Sequence, residues 1–252
     1  MSAAADTGAA EYLPLADATR EQLERCGAAT LANGVLKRGI RKSFLLGLAA
    51  VRPGQPKLIG PAWTVRFIPA REDKDSMALY ARDDSMHRRA IEECPAGAVM
   101  VMDTRGDAAA SCMGDMMALR LKVRGVAGVV TDGGFRDTPG IVDTGLPCFQ
   151  HTPSGPATPL ALSPVAFNQP VGCAGVAVYP NDVVVGDSEG VVVIPRHLVD
   201  EVAAECEGTA DYERFVAMHI KRGRSIFGLF PATPDSTTEY HAWVADGRPE
   251  LD

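Results

Sequence analysis

The sequence lacks the features that mark nucleic-acid-binding, membrane-spanning and secreted proteins. Its formal net charge is -7 and no basic run with interleaved aromatic residues occurs, which argues against a nucleic-acid interface. No apolar run approaches the length needed to cross a bilayer. The N-terminal stretch is small and polar, without the charged and then apolar segments of a signal peptide. We therefore expect a flexible lead and a soluble, cytoplasmic protein.

Metal-binding cysteine and histidine patterns are also missing. The six cysteines form no C-x-x-C pair, and the five histidines are dispersed with no metal-ligand pair at helical spacing. This scatter excludes the common zinc sites and predicts buried free thiols in a reducing compartment. The cysteines are Cys26, Cys94, Cys112, Cys148, Cys173 and Cys206.

The remaining pattern is that of one mixed α/β domain. Hydrophobic residues make up 46% of the chain and charged residues 23%, as in ordinary globular proteins. Helical spacing, alternating β-branched residues and turn signals predict the main elements. We expect helices over 19–38, 84–94 and 196–222, an edge or bulged strand at LIGPAWTVRFIP because it contains Pro61, and a hairpin of DVVVGD and GVVVIP.

The middle of the chain predicts a compact βαβ unit. AVMVMD (98–103) and GVVTD (128–132) are short apolar runs typical of buried strands. GDMMALRLKVR (114–124) between them is typical of a helix, which we expect Gly125 to end. Strands joined in this way by a helix run parallel. At least part of the sheet is therefore expected to be parallel.

Functional groups cluster at the ends of this unit. Asp132 ends a strand, Arg136 and Asp137 follow the flexible Gly133–Gly134 pair, and Asp115 begins the helix. Because the free N–H groups of a helix start bind anions and a guanidinium binds carboxylates in a bidentate manner, these groups suit a carboxylate ligand beside a hard divalent cation.

Each of these residues also has a purely structural interpretation. Asp115 is a common residue at a helix start, and Asp137 or Thr138 could cap a helix that has Pro139 in its first turn. Arg136 could form a surface ion pair of little energetic consequence. The combined spacing, rather than any single residue, favours a functional site.

That spacing resembles the RraA-like family, which includes class II 4-hydroxy-4-methyl-2-oxoglutarate/4-carboxy-4-hydroxy-2-oxoadipate aldolases. The family motif is an Asp, twenty residues and then Arg-Asp, and GDMMALRLKVRGVAGVVTDGGFRD meets it with Asp115, Arg136 and Asp137. Weaker similarity covers AATLANGVLKRG, IGPAWTVRF and NDVVVGDSEGVVVIP. Asn33 departs from the family, since many members carry Asp there.

The resemblance implies a fold and an assembly. It implies a single-domain β/β/α sandwich of the swivelling-domain type over residues 19–226, after a flexible lead over 1–18. The tail over 227–252 would pack on a neighbouring subunit or stay loose. The family also implies a homotrimer or hexamer with its site at the subunit interface.

Residue roles follow from the same resemblance. Asp137 would bind Mg²⁺ or Mn²⁺, Asp115 would hydrogen-bond the metal's waters, and Arg136 would hold the pyruvyl group. Backbone amides at the helix start, around Gly114, Met116 and Met117, would bind the substrate carboxylate. A neighbouring subunit would add an acidic residue, for which the candidates are Glu189, Glu205, Glu207 and Glu213.

The implied reaction is metal-dependent retro-aldol cleavage of a 4-hydroxy-2-oxo di- or tricarboxylic acid to pyruvate and a keto acid, with oxaloacetate decarboxylation at the same site. Two alternatives stay open. The family's founding members are non-catalytic regulators that bind an RNA-processing ribonuclease. Relatives have also been named as quinone methyltransferases, which the missing glycine-rich loop disfavours.

Overall fold

The computed structural model describes residues 10–249, and within them eleven strands and eight α-helices form a single α/β unit. Nine strands join one sheet in the order β1-β11-β10-β3-β4-β6-β8-β2, with β9 also on β3, while β5 and β7 form a separate parallel pair. The strands are β1 Phe44–Leu45, β2 Ala49–Ala50, β3 Leu58–Pro69, β4 Val99–Asp103, β5 Ser111–Met113, β6 Gly128–Thr131, β7 Gly134–Phe135, β8 Cys148–Gln150, β9 Leu162–Phe167, β10 Val183–Asp187 and β11 Gly190–Ile194.

The helices lie on both sides of this sheet. They are α1 Asp17–Arg25, α2 Ala28–Lys37, α3 Met77–Tyr80, α4 Met86–Glu93, α5 Asp115–Val123, α6 Thr138–Thr144, α7 Val199–Lys221 and α8 Pro234–Ala245. Short 3₁₀ turns occupy 158–160, 173–175 and 196–198.

The sheet folds back on itself to make a sandwich. Because successive side chains of a strand point to opposite faces, Val99 and Val101 of β4 join one apolar cluster while Met100 and Met102 join another. The first cluster lies between the two halves of the sheet, and the second lies under α4, α5 and α6. A third cluster packs α1, α2 and α7 on β10 and β11. The predicted α/β sandwich is confirmed, and helices cover both of its outer faces.

The central βαβ unit is confirmed. Strands β4 and β6 pair in parallel, from Val99 opposite Gly128 to Met102 opposite Thr131, and α5 connects them. Gly125 ends this connection in the left-handed conformation, as its position after the helix predicted. The predicted hairpin is also confirmed, with Asp187 opposite Gly190 at its tip.

The prediction of one helix over 19–38 is wrong, because the chain breaks between α1 and α2. The backbone of Cys26 is extended. Side chains from distant segments form hydrogen bonds with the backbone carbonyl and amide groups at the two helix ends that face the break. The Lys57 ammonium donates to the Glu24 carbonyl at 2.7 Å and the Cys26 carbonyl at 2.6 Å. A carboxylate oxygen of Asp187 accepts from the Ala28 amide at 2.7 Å. These caps come from tertiary structure, which helical periodicity does not contain.

The prediction that Pro61 confines its strand to an edge or a bulge is wrong for the edge, and the bulge of this strand lies at Arg66–Phe67 instead of at Pro61. Strand β3 is central, with β10 on one side and β4 on the other. Pro61 lies opposite Val183, the first residue of β10, and the pairing with β4 begins only at Ala62. Since Pro61 lies where one pairing ends and the next begins, the missing N–H leaves the central position intact.

The two ends of the chain pack differently from one another. Residues 1–9 of the expected lead lie outside the described residues. Further along the lead, the Leu13 amide donates to Asn181 Oδ1, and Asn181 Nδ2 donates to the Glu11 carbonyl. At the other end, α8 packs on the second half of α7 through a small cluster that includes Phe215 and Trp243. Contact of the tail with a neighbouring subunit stays a prediction.

Candidate functional site

A two-stranded parallel ribbon brings the starts of α5 and α6 side by side. Strand β5 leads through Gly114 into α5, and β7 leads through Arg136 and Asp137 into α6. The Arg136 amide donates to the Met113 carbonyl at 3.0 Å, which continues the ribbon to its end. Residues that are separated by twenty others in the sequence therefore meet at one junction.

Two glycines make this close approach possible. A Cβ atom on Gly114 would lie 3.0 Å from Asp137 Oδ2 and 3.2 Å from Arg136 Cγ. A Cβ atom on Gly140, in α6, would lie 2.7 Å from Asp115 Oδ2. The structure thus brings Asp115, Arg136 and Asp137 to the junction that the sequence predicted.

Asp137 has an unusual backbone for a residue other than glycine. It occupies the cap position of α6 with φ 53° and ψ 38°, in the left-handed region, and its side chain makes no capping hydrogen bond. That conformation costs roughly 1–2 kcal/mol. Its carboxylate instead accepts from Arg136 Nε at 2.8 Å, with both side chains more than 40% exposed. An exposed pair of this kind stabilises a fold little, so capping and ion pairing do not account for the arrangement.

The start of α5 offers backbone donors beside these side chains. Asp115 Oδ1 accepts from the Met116 amide at 2.7 Å, so the simple helix-start interpretation of Asp115 holds in part. The helix itself provides no acceptors for the amides of its first turn, which include that of Met117. Together with the Arg136 guanidinium, they form a positive region suited to a carboxylate.

The junction fits a hard cation held mainly by water. Within residues 10–249, no group of three or more His, Cys, Asp or Glu side chains converges as a ready-made metal site. Zinc sites require such a set, whereas Mg²⁺ often binds through one or two carboxylates and keeps its waters. Asp137, with Asp115 nearby, supplies carboxylate oxygens of this kind.

Asp132 has a structural role instead of joining this junction. Its buried carboxylate accepts from the amides of Thr104 at 2.8 Å, Gly106 at 3.0 Å and Ala174 at 3.1 Å. It thereby holds two loops at the carboxyl ends of β4 and β6. The same carboxylate borders a separate cavity of about 350 Å³ with Arg105.

Sequence reasoning missed the packing of Tyr80 and His87 near the side chain of Met117 in α5. The hydroxyl of Tyr80 points to Met117 Sδ at 3.8 Å, and the Tyr80 ring packs against His87 with centroids 5.5 Å apart. His87 is fully buried, because it shares the inner face of α4 with Ala90 and Ile91. That i, i+3, i+4 spacing was visible in the sequence. Nothing local pointed to Tyr80.

The sulfur-containing residues differ in how far they are buried. Met113 is buried in the core, whereas Met116 is 67% exposed. All six cysteines are free and buried, as expected. Between residues 10 and 249, no helix is long and apolar enough to cross a membrane.

Comparison with known proteins agrees with this geometry. The model of the RraA-like family, described as Aldolase/RraA, matches residues 20–193, which is most of the chain. The chain belongs to the RraA-like family. The matched region contains β1–β10, most of β11 and the complete junction.

The relatives of this RraA-like protein carry different functional descriptions. A Halalkalibacterium halodurans protein, provisionally named as a 4-hydroxy-4-methyl-2-oxoglutarate aldolase, is 32% identical over 144 residues, or 56% of this chain and 60% of that protein. The crystal structure of Streptomyces coelicolor RraAS2, described as an unusual member of the RNase ES inhibitor RraA family, has TM-score 0.73 and 33% identity over 82% of this chain and 100% of its own. An uncharacterised Pseudomonas syringae pv. tomato protein has TM-score 0.77 and 25% identity over 87% and 96% of the respective chains.

Proposed function

We propose that the chain is a divalent-metal-dependent carbon–carbon lyase. It cleaves a 4-hydroxy-2-oxo di- or tricarboxylic acid to pyruvate and a second keto acid, and it decarboxylates oxaloacetate as a side reaction. The observation that carries the proposal is the junction of Asp115, Arg136 and Asp137 at the starts of two helices. The aldolase name of the H. halodurans relative supports it, although this chain spans only 60% of that protein.

Binding of the keto acid uses groups of the chain itself. The Arg136 guanidinium, 44% exposed, is free to exchange part of its contact with Asp137 for the pyruvyl oxygens of the substrate. The first-turn amides of α5 receive the carboxylate. When a divalent cation binds, Asp137 and water would hold Mg²⁺ or Mn²⁺, and Asp115 would hydrogen-bond that water.

The cleavage step moves one proton and one electron pair. The C4 hydroxyl proton leaves to Asp115, directly or through water, and the C3–C4 bond electrons pass to the pyruvyl half as an enolate. Arg136 offsets the developing negative charge, and the proton that Asp115 took from the C4 hydroxyl is then delivered to C3 of the enolate to give pyruvate. When bound, the divalent cation supplies Lewis-acid stabilisation of the same charge. Oxaloacetate releases CO₂ in place of the carbonyl product.

An exposed apolar stripe supports an oligomer with the site at its interface. Met116, Leu119 and Val123 lie on one face of α5, next to the junction, and are 67%, 44% and 70% exposed. A second subunit of a homotrimer or hexamer would cover them and add its acidic residue. Of the four candidates, Glu205 and Glu207 already form ion pairs with lysine or arginine side chains of their own chain.

The experiment measures pyruvate release from oxaloacetate and from 4-hydroxy-4-methyl-2-oxoglutarate, with Mg²⁺ and then with EDTA. Wild type, Asp137→Ala and the control Asp143→Ala are compared, since Asp143 is an exposed acid elsewhere on α6. We expect turnover that EDTA and Asp137→Ala abolish and that Asp143→Ala leaves intact. Absence of turnover in a folded, metal-supplied wild type would refute the proposal.

A second candidate function is inhibition of a ribonuclease by protein–protein contact. Its support is the 33% identity to RraAS2, which this chain covers over its full length. Micromolar binding to a purified RNase E-type enzyme, without lyase activity, would favour it. Lyase activity that Asp137→Ala removes would favour the enzyme.

A further inference from the structure

A cavity of about 350 Å³ opens at the carboxyl ends of the parallel strands β4, β6 and β8. Arg105 follows β4, Asp132 follows β6 and His151 follows β8, and all three line the cavity. Ligands of open α/β sheets commonly bind beyond this end of the strands. The lining residues differ from those of the Asp-Arg-Asp junction, so a ligand here would be additional to the substrate of the proposed lyase.

Two buried carboxylates hold the loops around this cavity in place. Asp103 accepts from the amides of Arg105 at 2.9 Å and Gly172 at 3.1 Å, and Asp132 accepts from further amides of the same two loops. Arg105 and Ala174 have left-handed backbones, with φ 64° and 48°, which are unfavourable for residues other than glycine. Strain of this kind persists where the surrounding structure enforces it, and it is common at ligand sites. The loops are therefore fixed before a ligand binds.

The Arg105 guanidinium has donors that are available to a ligand. Its side chain is 38% exposed, and its ion-pair partner is Asp107, whose Oδ2 atom lies 3.6 Å from Nη2. That separation is too long for a hydrogen bond. A guanidinium offers five N–H donors, and a ligand carboxylate accepts two of them in a bidentate pair.

The charges around the cavity favour a ligand that also carries a positive group. Asp132 lines the cavity as a buried carboxylate, and the carboxylates of Asp103 and Asp107 belong to the same loop region as Arg105. A simple anion would therefore be attracted by one guanidinium and repelled by three carboxylates. An ammonium group on the same ligand is attracted by those carboxylates, which removes the conflict.

The remaining lining supplies a neutral acceptor and an apolar wall. His151 Nδ1 lies 3.1 Å from the Gly47 carbonyl oxygen. Since a carbonyl only accepts, Nδ1 carries the hydrogen, and Nε2 of the neutral ring is left as an acceptor. Leu46 and Leu48 also line the cavity, and Leu46 is 75% exposed. An aliphatic group packed against them would bury apolar surface.

We propose that this cavity binds a small α-amino acid with an aliphatic side chain. Arg105 holds the carboxylate, the charge of Asp132 attracts the ammonium group, and His151 Nε2 accepts a hydrogen bond from it. The two leucines pack against the aliphatic side chain. The cavity volume lies at the lower end of the range for small-molecule sites, which suits a ligand of this size. The inference does not depend on the proposed lyase activity, because the two sites share no residue.

Isothermal titration calorimetry of the full chain with L-leucine tests the assignment. Three analogues each lack one group: 4-methylpentanoate lacks the ammonium group, 3-methylbutylamine lacks the carboxylate, and free glycine lacks the aliphatic side chain. Wild type and Arg105→Gln are compared with the control Arg248→Gln. Arg248 also has a left-handed backbone, with φ 58°, but its guanidinium pairs with Asp211 on α7.

We expect wild type and Arg248→Gln to bind leucine with a Kd of about 1 mM or below. Each analogue should bind wild type at least about tenfold more weakly, because it lacks a charged hydrogen bond or a buried aliphatic group. Arg105→Gln should weaken leucine binding by about tenfold and leave the binding of 3-methylbutylamine unchanged. No binding of leucine to wild type at about 10 mM, an analogue that binds as tightly as leucine, or equal leucine affinity of Arg105→Gln and wild type would overturn the inference.

Discussion

Replacement of His87 tests whether its buried, unpartnered imidazole makes the protein sensitive to mild acid. Both ring nitrogens lack hydrogen-bond partners, and burial lowers the pKa of His87 from 6.5 to about 4. In the unfolded chain the ring takes up a proton near its ordinary pKa. Between pH 6.5 and 4 the unfolded state therefore binds more protons than the native state, and stability falls as the pH falls.

The size of this effect follows from the shift. At about 1.4 kcal/mol per pH unit, the free energy of unfolding of the wild type should lose about 2 kcal/mol from this one residue between pH 7 and pH 5. His87→Leu has no group that titrates at this position. The free energy of unfolding of the variant, relative to that of the wild type, should therefore rise by about the same 2 kcal/mol between pH 7 and pH 5.

Urea unfolding followed by far-UV circular dichroism at pH 7, 6 and 5 measures the difference. Carboxylates that titrate in this range act on both proteins alike, so they cancel when the two free energies are subtracted. His241→Gln, at an exposed position, serves as the control and should follow the wild type. Parallel profiles for wild type and His87→Leu would refute the buried, neutral imidazole.

Two further predictions test the junction and the core. Gly140→Ala suits a helix, but its Cβ would lie 2.7 Å from Asp115 Oδ2 and 2.9 Å from Asp115 Cβ, so the starts of α5 and α6 must move apart. We therefore expect a roughly 10–100-fold loss of pyruvate-forming kcat and a lower melting temperature. Gly208→Ala, which meets no atom within 4 Å, is its control, and full activity of Gly140→Ala would contradict the geometry. The buried cysteines, including Cys94 and Cys112, whose pKa values burial raises to about 12, should not react with Ellman's reagent in the native protein. Six thiols should react in guanidinium chloride, and a fast native reaction would show that a thiol is exposed.

The sequence predicted those parts of the fold that depend on local pattern. The period of apolar residues separated β4, α5 and β6, and Gly125 marked the end of the connection. The Asp-x₂₀-Arg-Asp spacing also named the three residues that meet at the junction. These signals survive in a single sequence because helix and strand periodicity and turn chemistry act over a few residues.

Tertiary structure alone decided the features that depend on partners far apart in sequence. Lys57 and Asp187 split the expected first helix, and β10 and β4 on either side of β3 made Pro61 part of a central strand. The contact of Tyr80 with Met117 and the hydrogen bond of Asp132 with Thr104, away from the junction, also join segments that are distant in sequence. The sequence shows which groups can donate, accept or pack, but the tertiary packing determines which partner each group meets. The family and the three residues of the junction could therefore be predicted from the sequence, while the partners of Lys57, Pro61 and Asp132 could not.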